Sequence, residues 1–307
     1  MDFEVYVLGT GGMQPLPRRF LNSALVRRKG ELFLFDAGEG TQVALKKLSL
    51  HWKKINKIFI SHMHADHVTG LPGLLMLSSQ VDRDEPLHIY GPSPLEEYIE
   101  ASRRILDMYI NYEIVIHTIT QNAIIVDNEE YCIKAFELDH RKQCFGYTLI
   151  EKERNGEFNK DKAIELGVPM GPLWGKLQRG EDVCVDGKVI KSSDIVGEKR
   201  KGRKFSFITD TTYTEDAASH VFGSDLLLIE GMFEHALVKD AHEKKHLTVV
   251  ESATIAKDAE AKKAGFMHHS PRYSESELKR LEKEGKEVYP NVFMCKDGMH
   301  FDIPLKS

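Results

Sequence analysis

The part of the chain that decides the fold is a cluster of histidines between two apolar segments, Ser61-His62-Met63-His64-Ala65-Asp66-His67. Residues 55–60, just before it, alternate in polarity and end in aromatic and β-branched side chains, which predicts a strand. Residues 71–80, just after it, are apolar with a proline in the first turn, which predicts a helix. We therefore expect the cluster to lie in the loop between a strand end and a helix start.

This placement favours metal binding. His62 and His64 are two residues apart, so their side chains point to the same side of extended backbone. Neutral imidazole is a good ligand for Zn²⁺ and similar divalent metals. Asp66 and His67 follow where the chain turns, so one segment can supply ligands to two adjacent metals. A solvated polar loop is the alternative, but the H-x-H-x-D-H spacing directly after a buried strand favours the metal interpretation.

The H-x-H-x-D-H motif after an apolar strand resembles the metallo-β-lactamase superfamily. The resemblance implies a four-layer α/β/β/α sandwich that binds one or two metals, in most members for hydrolysis. It identifies the superfamily and not the substrate.

Composition limits the class of protein. The chain has 307 residues, 41% of them hydrophobic and 29% charged, which suits one large domain or two small ones. No run of about 18 apolar residues predicts a membrane span, and no secretory signal is evident. The four scattered cysteines are typical of reduced, buried thiols in a cytosolic protein. The net charge of −5 means that nucleic-acid binding would need a local basic patch.

Periodicity predicts the remaining elements. A glycine turn follows the first strand, but the G-x-G-x-x-G spacing fails, which disfavours dinucleotide binding. Thr41 is a candidate helix cap. The predicted strands cover 3–8, 23–28, 31–36, 87–90, 114–119, 124–126, 131–138, 205–209, 225–229 and 292–295. The predicted helices cover 41–50, 94–109, 241–262 and 274–285.

Two further motifs resemble one branch of the superfamily, tRNase Z. Residues 36–42 match D-x-G-E-G-T-Q, and Asp36 would then orient a metal-binding histidine through its second ring nitrogen. Residues 268–273 match H-x-S-x-R-Y, which makes His268 a metal ligand and leaves His269 as the alternate. Ser270 and Arg272 suit a substrate phosphate.

The resemblance also completes a set of seven metal ligands. Taken alone, a histidine or aspartate at a strand end is more often an ordinary hydrogen-bonded residue or a turn. By resemblance, one metal is held by His62, His64 and His140. The other is held by Asp66, His67 and His268, with Asp210 between the two. The resemblance thus implies two Zn²⁺ per subunit, with Mn²⁺ as the alternative.

The chain departs from the family pattern at two places. Residues 230–233 resemble the family's H-E-A-T-F, but Ile229 stands where its histidine belongs. Residues 246–248 resemble H-S-T, but Leu247 replaces the serine. The resemblance makes Asp66 and His246 the catalytic residues, with His246 protonating the leaving group, while a surface histidine at a helix start stays the alternative.

Residues 151–204 differ in character from the rest. They are rich in charged residues and glycine, and five of the last eight are basic. They are either a long surface excursion with solvated charges or an arm that grips phosphates. The run Gly167-Val168-Pro169-Met170-Gly171-Pro172 resembles the tRNA-gripping arm of tRNase Z. We therefore expect Lys176, Arg179 and the 199–204 cluster to contact phosphates.

Together these features predict a single domain, 1–307, with 151–204 as a protruding arm. The predicted function is a metal-dependent endoribonuclease that removes the 3′ trailer from precursor tRNA. The resemblance implies a cytoplasmic homodimer, with no membrane partner, in which one subunit's arm grips the tRNA cut by the other. The alternatives are a metallo-phosphodiesterase acting on small cyclic or diester nucleotides and a non-catalytic RNA-binding relative.

Overall fold

A computed structural model describes residues 2–80, 83 and 85–305. The strands are β1 Phe3–Gly9, β2 Ser23–Arg28, β3 Glu31–Phe35, β4 Ile55–Phe59, β5 Leu87–Gly91, β6 Ile114–Thr118, β7 Ala123–Asp127, β8 Tyr131–Leu138, β9 Cys144–Glu151, β10 Val183–Val185, β11 Lys188–Ile190, β12 Lys204–Ile208, β13 Leu226–Glu230, β14 Ala264–Met267, β15 Val292–Met294 and β16 His300–Asp302. The α-helices are α1 Thr41–Lys47, α2 Ala65–Val68, α3 Leu71–Ser78, α4 Pro94–Ile105, α5 Lys160–Glu165, α6 Pro172–Gln178, α7 Ala217–Val221, α8 Val238–Lys244, α9 Val249–Asp258 and α10 Glu275–Val288.

Most of these strands belong to two seven-stranded sheets. The first has the order β16-β1-β2-β3-β4-β5-β6 and the second β15-β14-β13-β12-β9-β8-β7. In the first sheet β3, β4, β5 and β6 are parallel, and in the second β12, β13, β14 and β15 are parallel. Strands β8 and β9 are antiparallel to their neighbours. Parallel neighbours end at the same sheet edge, which brings residues from several strand ends together.

Three apolar layers hold the sheets and helices together. Aromatic side chains of both sheets fill the space between them, with Phe35 of β3 packed against Phe59 of β4 and Phe205 of β12. A second layer joins the first sheet to α1, α3 and α4. A third joins the second sheet to α7, α9 and α10. The predicted α/β/β/α sandwich is therefore confirmed.

Most predicted elements are present, but several expectations were wrong. The helix predicted over 241–262 is two helices, because Lys245 adopts a left-handed conformation with φ 56° and ends α8. Thr41 does not cap α1, since Gly40 occupies the cap position and the Thr41 hydroxyl donates to the Gly38 carbonyl. Helix α4 ends at Ile105, not at residue 109. Cys184 is exposed, whereas the other three cysteines are buried.

Residues between β9 and β12 form their own small structure. They contain α5, α6 and the β10–β11 hairpin, which surround an apolar cluster of their own: Ala163, Val168, Leu177, Val183, Ile190 and Ile195. This segment, 152–203, is called the arm below. It leaves the second sheet where β9 ends and returns where β12 begins.

Within the described residues, no helix combines the length and the apolar character that crossing a membrane requires.

Candidate metal centre

The H-x-H-x-D-H segment begins three residues after β4 and ends within a short helix. His62 and His64 precede α2 in extended backbone, while Asp66 and His67 lie within α2. The sequence predicted a loop here, whereas a helical turn begins at Ala65, so Asp66 and His67 extend from helical backbone. One segment therefore contributes to two groups of donor atoms.

The first group contains three imidazoles. Nε2 of His62 lies 2.9 Å from Nδ1 of His64. Nε2 of His140, which follows β8, lies 3.2 Å from the same His64 atom. These three nitrogens and a carboxylate oxygen of Asp210 lie within 4.8 Å of one another.

The second group contains two imidazoles and a carboxylate. Nε2 of His67 and Nε2 of His268 are 3.3 Å apart. Oδ2 of Asp66 lies 3.1 Å from Nε2 of His268 and 3.8 Å from Nε2 of His67. His268 follows β14, so this group joins the two sheets.

Asp210 faces both groups, one carboxylate oxygen toward each. Its Oδ2 lies 3.6 Å from Nε2 of His62 and 3.7 Å from Nε2 of His140. Its Oδ1 lies 3.4 Å from Nε2 of His67 and 3.3 Å from Nε2 of His268. The seven residues of the predicted ligand set are thus brought together, and we call them the candidate metal centre.

The chemistry of the donor atoms fits divalent metal binding. Adjacent ring nitrogens at about 3 Å cannot all carry protons, because neighbouring N–H groups would repel. Imidazole nitrogens with carboxylate oxygens are the ligands that zinc and related metals prefer. The residues present therefore suit metal binding.

Groups outside the seven orient several of the imidazoles. Asp36 Oδ2 lies 2.7 Å from Nδ1 of His67, and its Oδ1 accepts the Ser61 backbone N–H at 2.7 Å. The Lys245 carbonyl lies 2.9 Å from Nδ1 of His140. Such contacts leave Nε2 of each ring facing the centre, as metal-bound imidazoles require.

The glycine turn after β1 supports the second group. The Met13 backbone N–H donates to Oδ2 of Asp66 at 2.6 Å. A Cβ atom on Gly12 would lie 2.7 Å from the His268 ring, so only glycine allows this approach.

His268, and not His269, faces the centre. His268 has a left-handed backbone with φ 56°, which turns consecutive side chains apart. The His269 ring is buried and lies 3.0 Å from the Cys295 carbonyl oxygen. Burial lowers the pKa of His269 to about 3, so its ring is neutral.

The electrostatics of the centre favour anionic carboxylates beside imidazoles. Burial alone raises the pKa of Asp210, but the surrounding histidines hold that pKa well below its ordinary value. Burial lowers the pKa of His140 to about 4 and the pKa of His62 well below normal. For His67, the carboxylates of Asp210 and Asp36 outweigh burial and raise its pKa well above normal. A cation bound at Nε2 of His67 would take the place of the proton beside Asp210, while Nδ1 would keep its proton, hydrogen-bonded to Asp36.

Glu230 is a residue that sequence reasoning did not assign a role. Its Oε2 lies 3.0 Å from Nδ1 of His246, and its Oε1 accepts the Thr211 backbone N–H at 2.7 Å. Burial lowers the pKa of His246, but Glu230 reverses the effect and raises it to about 9. The resemblance to H-E-A-T-F was the sequence cue that could have identified Glu230.

A cavity of about 520 Å³ opens onto the centre. Phe233 lies in its wall, with the Arg272 guanidinium 5.1 Å and the Lys244 ammonium 5.7 Å from the ring centroid. Arg141 also lines the cavity, which gives it an apolar wall and a cationic rim. Such a surface suits a polyanionic chain with aromatic bases.

Three of the predicted phosphate-binding residues do not line this cavity: Ser270, Lys176 and Arg179. Ser270 is only 1% exposed, and its hydroxyl oxygen lies 3.5 Å from the Arg272 backbone nitrogen, so the geometry gives no support for phosphate contact. Lys176 and Arg179 are exposed at the end of α6 in the arm. In the basic cluster, Arg203 is buried beside Glu151, so the expected phosphate contact was wrong for this residue.

Comparison with known proteins decides the family. The chain is 57% identical to ribonuclease Z of Treponema denticola over the whole of both chains. It is 41% identical to ribonuclease Z of Borreliella burgdorferi, over 98% of this chain and 97% of the relative. The chain belongs to the ribonuclease Z family. The family model described as anti-Pycsar protein Apyc1 also matches residues 3–150.

Solved structures agree with this membership. The short form of human tRNase Z is 28% identical with a TM-score of 0.73, over 98% of this chain and 100% of that one. The metallo-β-lactamase fold protein YhfI of Bacillus subtilis is 17% identical with a TM-score of 0.69, over 98% and 100%, and shows the fold alone. As a member of the ribonuclease Z family, the chain is a metal-dependent hydrolase of the metallo-β-lactamase fold.

Proposed function

We propose that this ribonuclease Z family member removes the 3′ trailer of precursor tRNA by hydrolysing one phosphodiester bond. The observation that carries the proposal is the complete set of seven metal donors within a chain that matches ribonuclease Z along its full length. The basic rim of the cavity above these donors supports an RNA substrate.

The candidate metal centre would hold two Zn²⁺, with Mn²⁺ as the alternative. His62, His64 and His140 would bind one ion, Asp66, His67 and His268 the other, and Asp210 both. Bound ions of this kind acidify a water molecule and stabilise the negative charge that develops on the phosphoryl oxygens. The neutral form of His140, set by burial, matches what a ligand needs.

Other residues would orient the substrate and move protons. Asp66 is ionised and held by the Met13 N–H, so its carboxylate can accept a proton from a nucleophilic water. His246, which Glu230 keeps protonated, can donate from the ring to the leaving oxygen. Arg272 at the cavity rim can hold a phosphate. His246 is 12% exposed and lines the cavity, so it is accessible to a substrate.

The position of the arm supports a homodimer. Strand β12 begins directly after the arm and ends two residues before Asp210, and at about 3.3 Å per residue its five residues span roughly 16 Å. The arm therefore begins at the sheet end opposite the candidate metal centre. We propose that Lys176 and Arg179 of one subunit grip the tRNA that the other subunit cuts.

An exposed apolar surface offers a place for the second subunit. It consists of Val43 of α1, Met76 of α3, and Ile105, Leu106 and Tyr109 at and after the end of α4. Ile105 is 72% exposed and Tyr109 is 77% exposed, which is unusual for such large side chains. The α1, α3 and α4 helices share one apolar layer over the first sheet, so these residues can form one face.

We also propose that the chain is one domain, 1–307, that it acts in the cytoplasm, and that 151–204, which is the arm with one strand residue on each side, protrudes from it. The separate apolar cluster of the arm supports its treatment as an appendage. Four free cysteines are consistent with a reducing compartment.

The test is cleavage of a precursor tRNA with a 3′ trailer, in Zn²⁺ and in Mn²⁺, by wild type and by Asp66→Ala. We expect one cut beside the discriminator base that leaves a 3′-hydroxyl and disappears in Asp66→Ala. Turnover of small phosphodiesters by metal-loaded protein that leaves the precursor tRNA intact would refute the proposal and favour the small-nucleotide phosphodiesterase. RNA binding without any turnover would favour a non-catalytic relative.

A further inference from the structure

The root of the arm contains a buried ion pair between its two ends. Glu151 is the last residue of β9, and Arg203 immediately precedes β12. Arg203 donates to the Glu151 carboxylate through two nitrogens, Nε to Oε2 at 2.7 Å and Nη2 to Oε1 at 2.8 Å. The two side chains are 1% and 4% exposed. The chain thus enters and leaves the arm at one bidentate contact.

A second arginine ties this contact to the other sheet. Nε of Arg28, at the end of β2, donates to Oε1 of Glu151 at 2.9 Å. Arg28 also donates to Glu130, in the turn before β8, at 2.8 Å. One carboxylate therefore joins the arm's two ends to both sheets of the sandwich.

Aromatic rings fix the two guanidinium planes. The guanidinium carbon of Arg203 lies 4.9 Å from the Phe3 ring centroid, and that of Arg28 lies 4.9 Å from the Tyr131 centroid. Burial alone raises the pKa of Glu151, but hydrogen bonds and the charge of Arg203 more than offset this, so that pKa is lowered. The carboxylate stays ionised between two oriented cations.

The chain directly beyond this root has little freedom. A Cβ atom on Gly202 would lie 2.0 Å from the Glu151 carbonyl oxygen, so the two ends of the arm are in backbone contact. Further out, Arg154 pairs with Arg200 and Phe158 with Val196 in isolated antiparallel bridges. The direction of these paired segments follows from the geometry at Glu151.

We infer that Glu151 is a positioning residue that fixes the direction in which the arm leaves the sandwich, and thereby the placement of tRNA on the candidate metal centre. The inference rests on the proposed tRNA function. Glu151 touches neither the donor atoms nor the cavity, so its effect on catalysis passes through the arm. A substrate too small to reach the arm does not depend on it.

The test compares two substrates in metal-loaded, full-length protein: a precursor tRNA with a 3′ trailer and bis(p-nitrophenyl) phosphate. Glu151→Gln keeps the shape of the side chain and removes its charge. We expect its KM for precursor tRNA to rise about tenfold, while kcat and the rate on the small diester stay within about twofold of wild type. Amide hydrogen exchange in 152–158 and 196–203 should increase in the same variant.

Glu4→Gln is the matched control. Glu4 is also a buried carboxylate that pairs with an arginine, Arg27, next to Arg28 on β2, but it lies away from the arm. We expect Glu4→Gln to leave KM for precursor tRNA unchanged. Arg203→Lys is the second variant, for use if Glu151→Gln folds too poorly to assay. It keeps the positive charge but loses the bidentate contact with Glu151. We expect it to raise KM for precursor tRNA and to leave the rate on the small diester unchanged.

Three outcomes would overturn the inference: an unchanged KM for precursor tRNA, a parallel loss on both substrates, or equal exchange in the arm of variant and wild type. They are distinguishable from failure of the proposed function, because in that case wild type itself would not cut precursor tRNA.

Discussion

Oε2 of Glu230 lies 3.0 Å from Nδ1 of His246, and this contact joins the end of β13 to the break between α8 and α9. It holds the His246 ring between His140 and His268, with centroid separations of 5.3 and 5.6 Å. The buried carboxylate thus sets both the orientation and the charge of an imidazole beside the candidate metal centre.

Replacing Glu230 should slow the chemical step. Glu230→Gln removes the charge that keeps His246 protonated, so we expect kcat on precursor tRNA to fall by about 10²–10⁴-fold, the usual contribution of a positioned acid. Metal content should change little, and single-turnover kinetics with elemental analysis would measure both. Glu234→Gln, at a half-buried residue paired with Arg280, is the control and should retain activity. Wild-type kcat in Glu230→Gln would exclude this role.

Replacing Asp36 should weaken metal binding without removing a donor atom. Asp36 contacts Nδ1 of His67 at 2.7 Å, so Asp36→Asn loses the charge that orients this ring. We expect an affinity loss of about 10–100-fold, measured by competition with a chromophoric chelator. Unaltered affinity would mean that His67 is positioned by its neighbours alone.

His268 and His269 should differ sharply on substitution. We expect His268→Ala to lose bound metal and cleavage together, since its Nε2 lies 3.3 Å from Oδ1 of Asp210. His269→Gln should keep its metal but lose about 1–3 kcal/mol of stability, because the buried Cys295 carbonyl loses its partner. Metal analysis and urea unfolding would distinguish the two, and metal loss confined to His269→Gln would reverse the assignment.

A pair of histidines outside the candidate metal centre, His88 of β5 and His117 of β6, should contribute to the pH dependence of stability. Nδ1 of His88 lies 3.0 Å from Nε2 of His117, on neighbouring strands, and burial lowers the pKa of both. In the folded protein these two imidazoles bind a proton less readily than in the unfolded chain, where histidine titrates near pH 6.5. Their contribution to the free energy of unfolding is therefore complete above about pH 6.5 and is lost as the pH falls below it. Urea unfolding at pH 7.5 and pH 5.5 should show a smaller loss in His117→Gln than in wild type. Equal losses would contradict this expectation.

A charge on the exposed apolar surface should disrupt the proposed dimer. Ile105→Glu places a carboxylate in the proposed contact, and we expect the dissociation constant to rise by about 10–100-fold, as for a central interface residue. Analytical ultracentrifugation would measure it. Phe222→Glu, at a 53% exposed residue after α7, is the control and should leave the dimer intact. A wild-type monomer at all concentrations would refute the homodimer itself.

Local motifs explain what could be predicted from the residues and the family resemblance. His62, His64, Asp66 and His67 are neighbours in sequence, and His140 and Asp210 follow clear strand patterns. The break before α9 also had a local cue, since Thr248 and Glu251 form a capping box. This cue was missed because the apolar periodicity of residues 241–262 continues across the break. The left-handed conformation of Lys245, which ends α8, has no recognisable signal in the sequence.

The residues by themselves predicted the strand ends and the H-x-H-x-D-H cluster, because strand alternation and motif spacing act over a few residues. The fold class and the remaining candidate donors came from the family resemblance that these motifs carry. Only the tertiary structure decided which donor atoms face one another, that His268 and not His269 turns inward, and that Glu230 partners His246. It also decided that Arg203, apparently part of a basic surface cluster, is buried against Glu151. These outcomes depend on contacts between segments far apart in the chain, where burial and opposing charge, and not local pattern, select the partner.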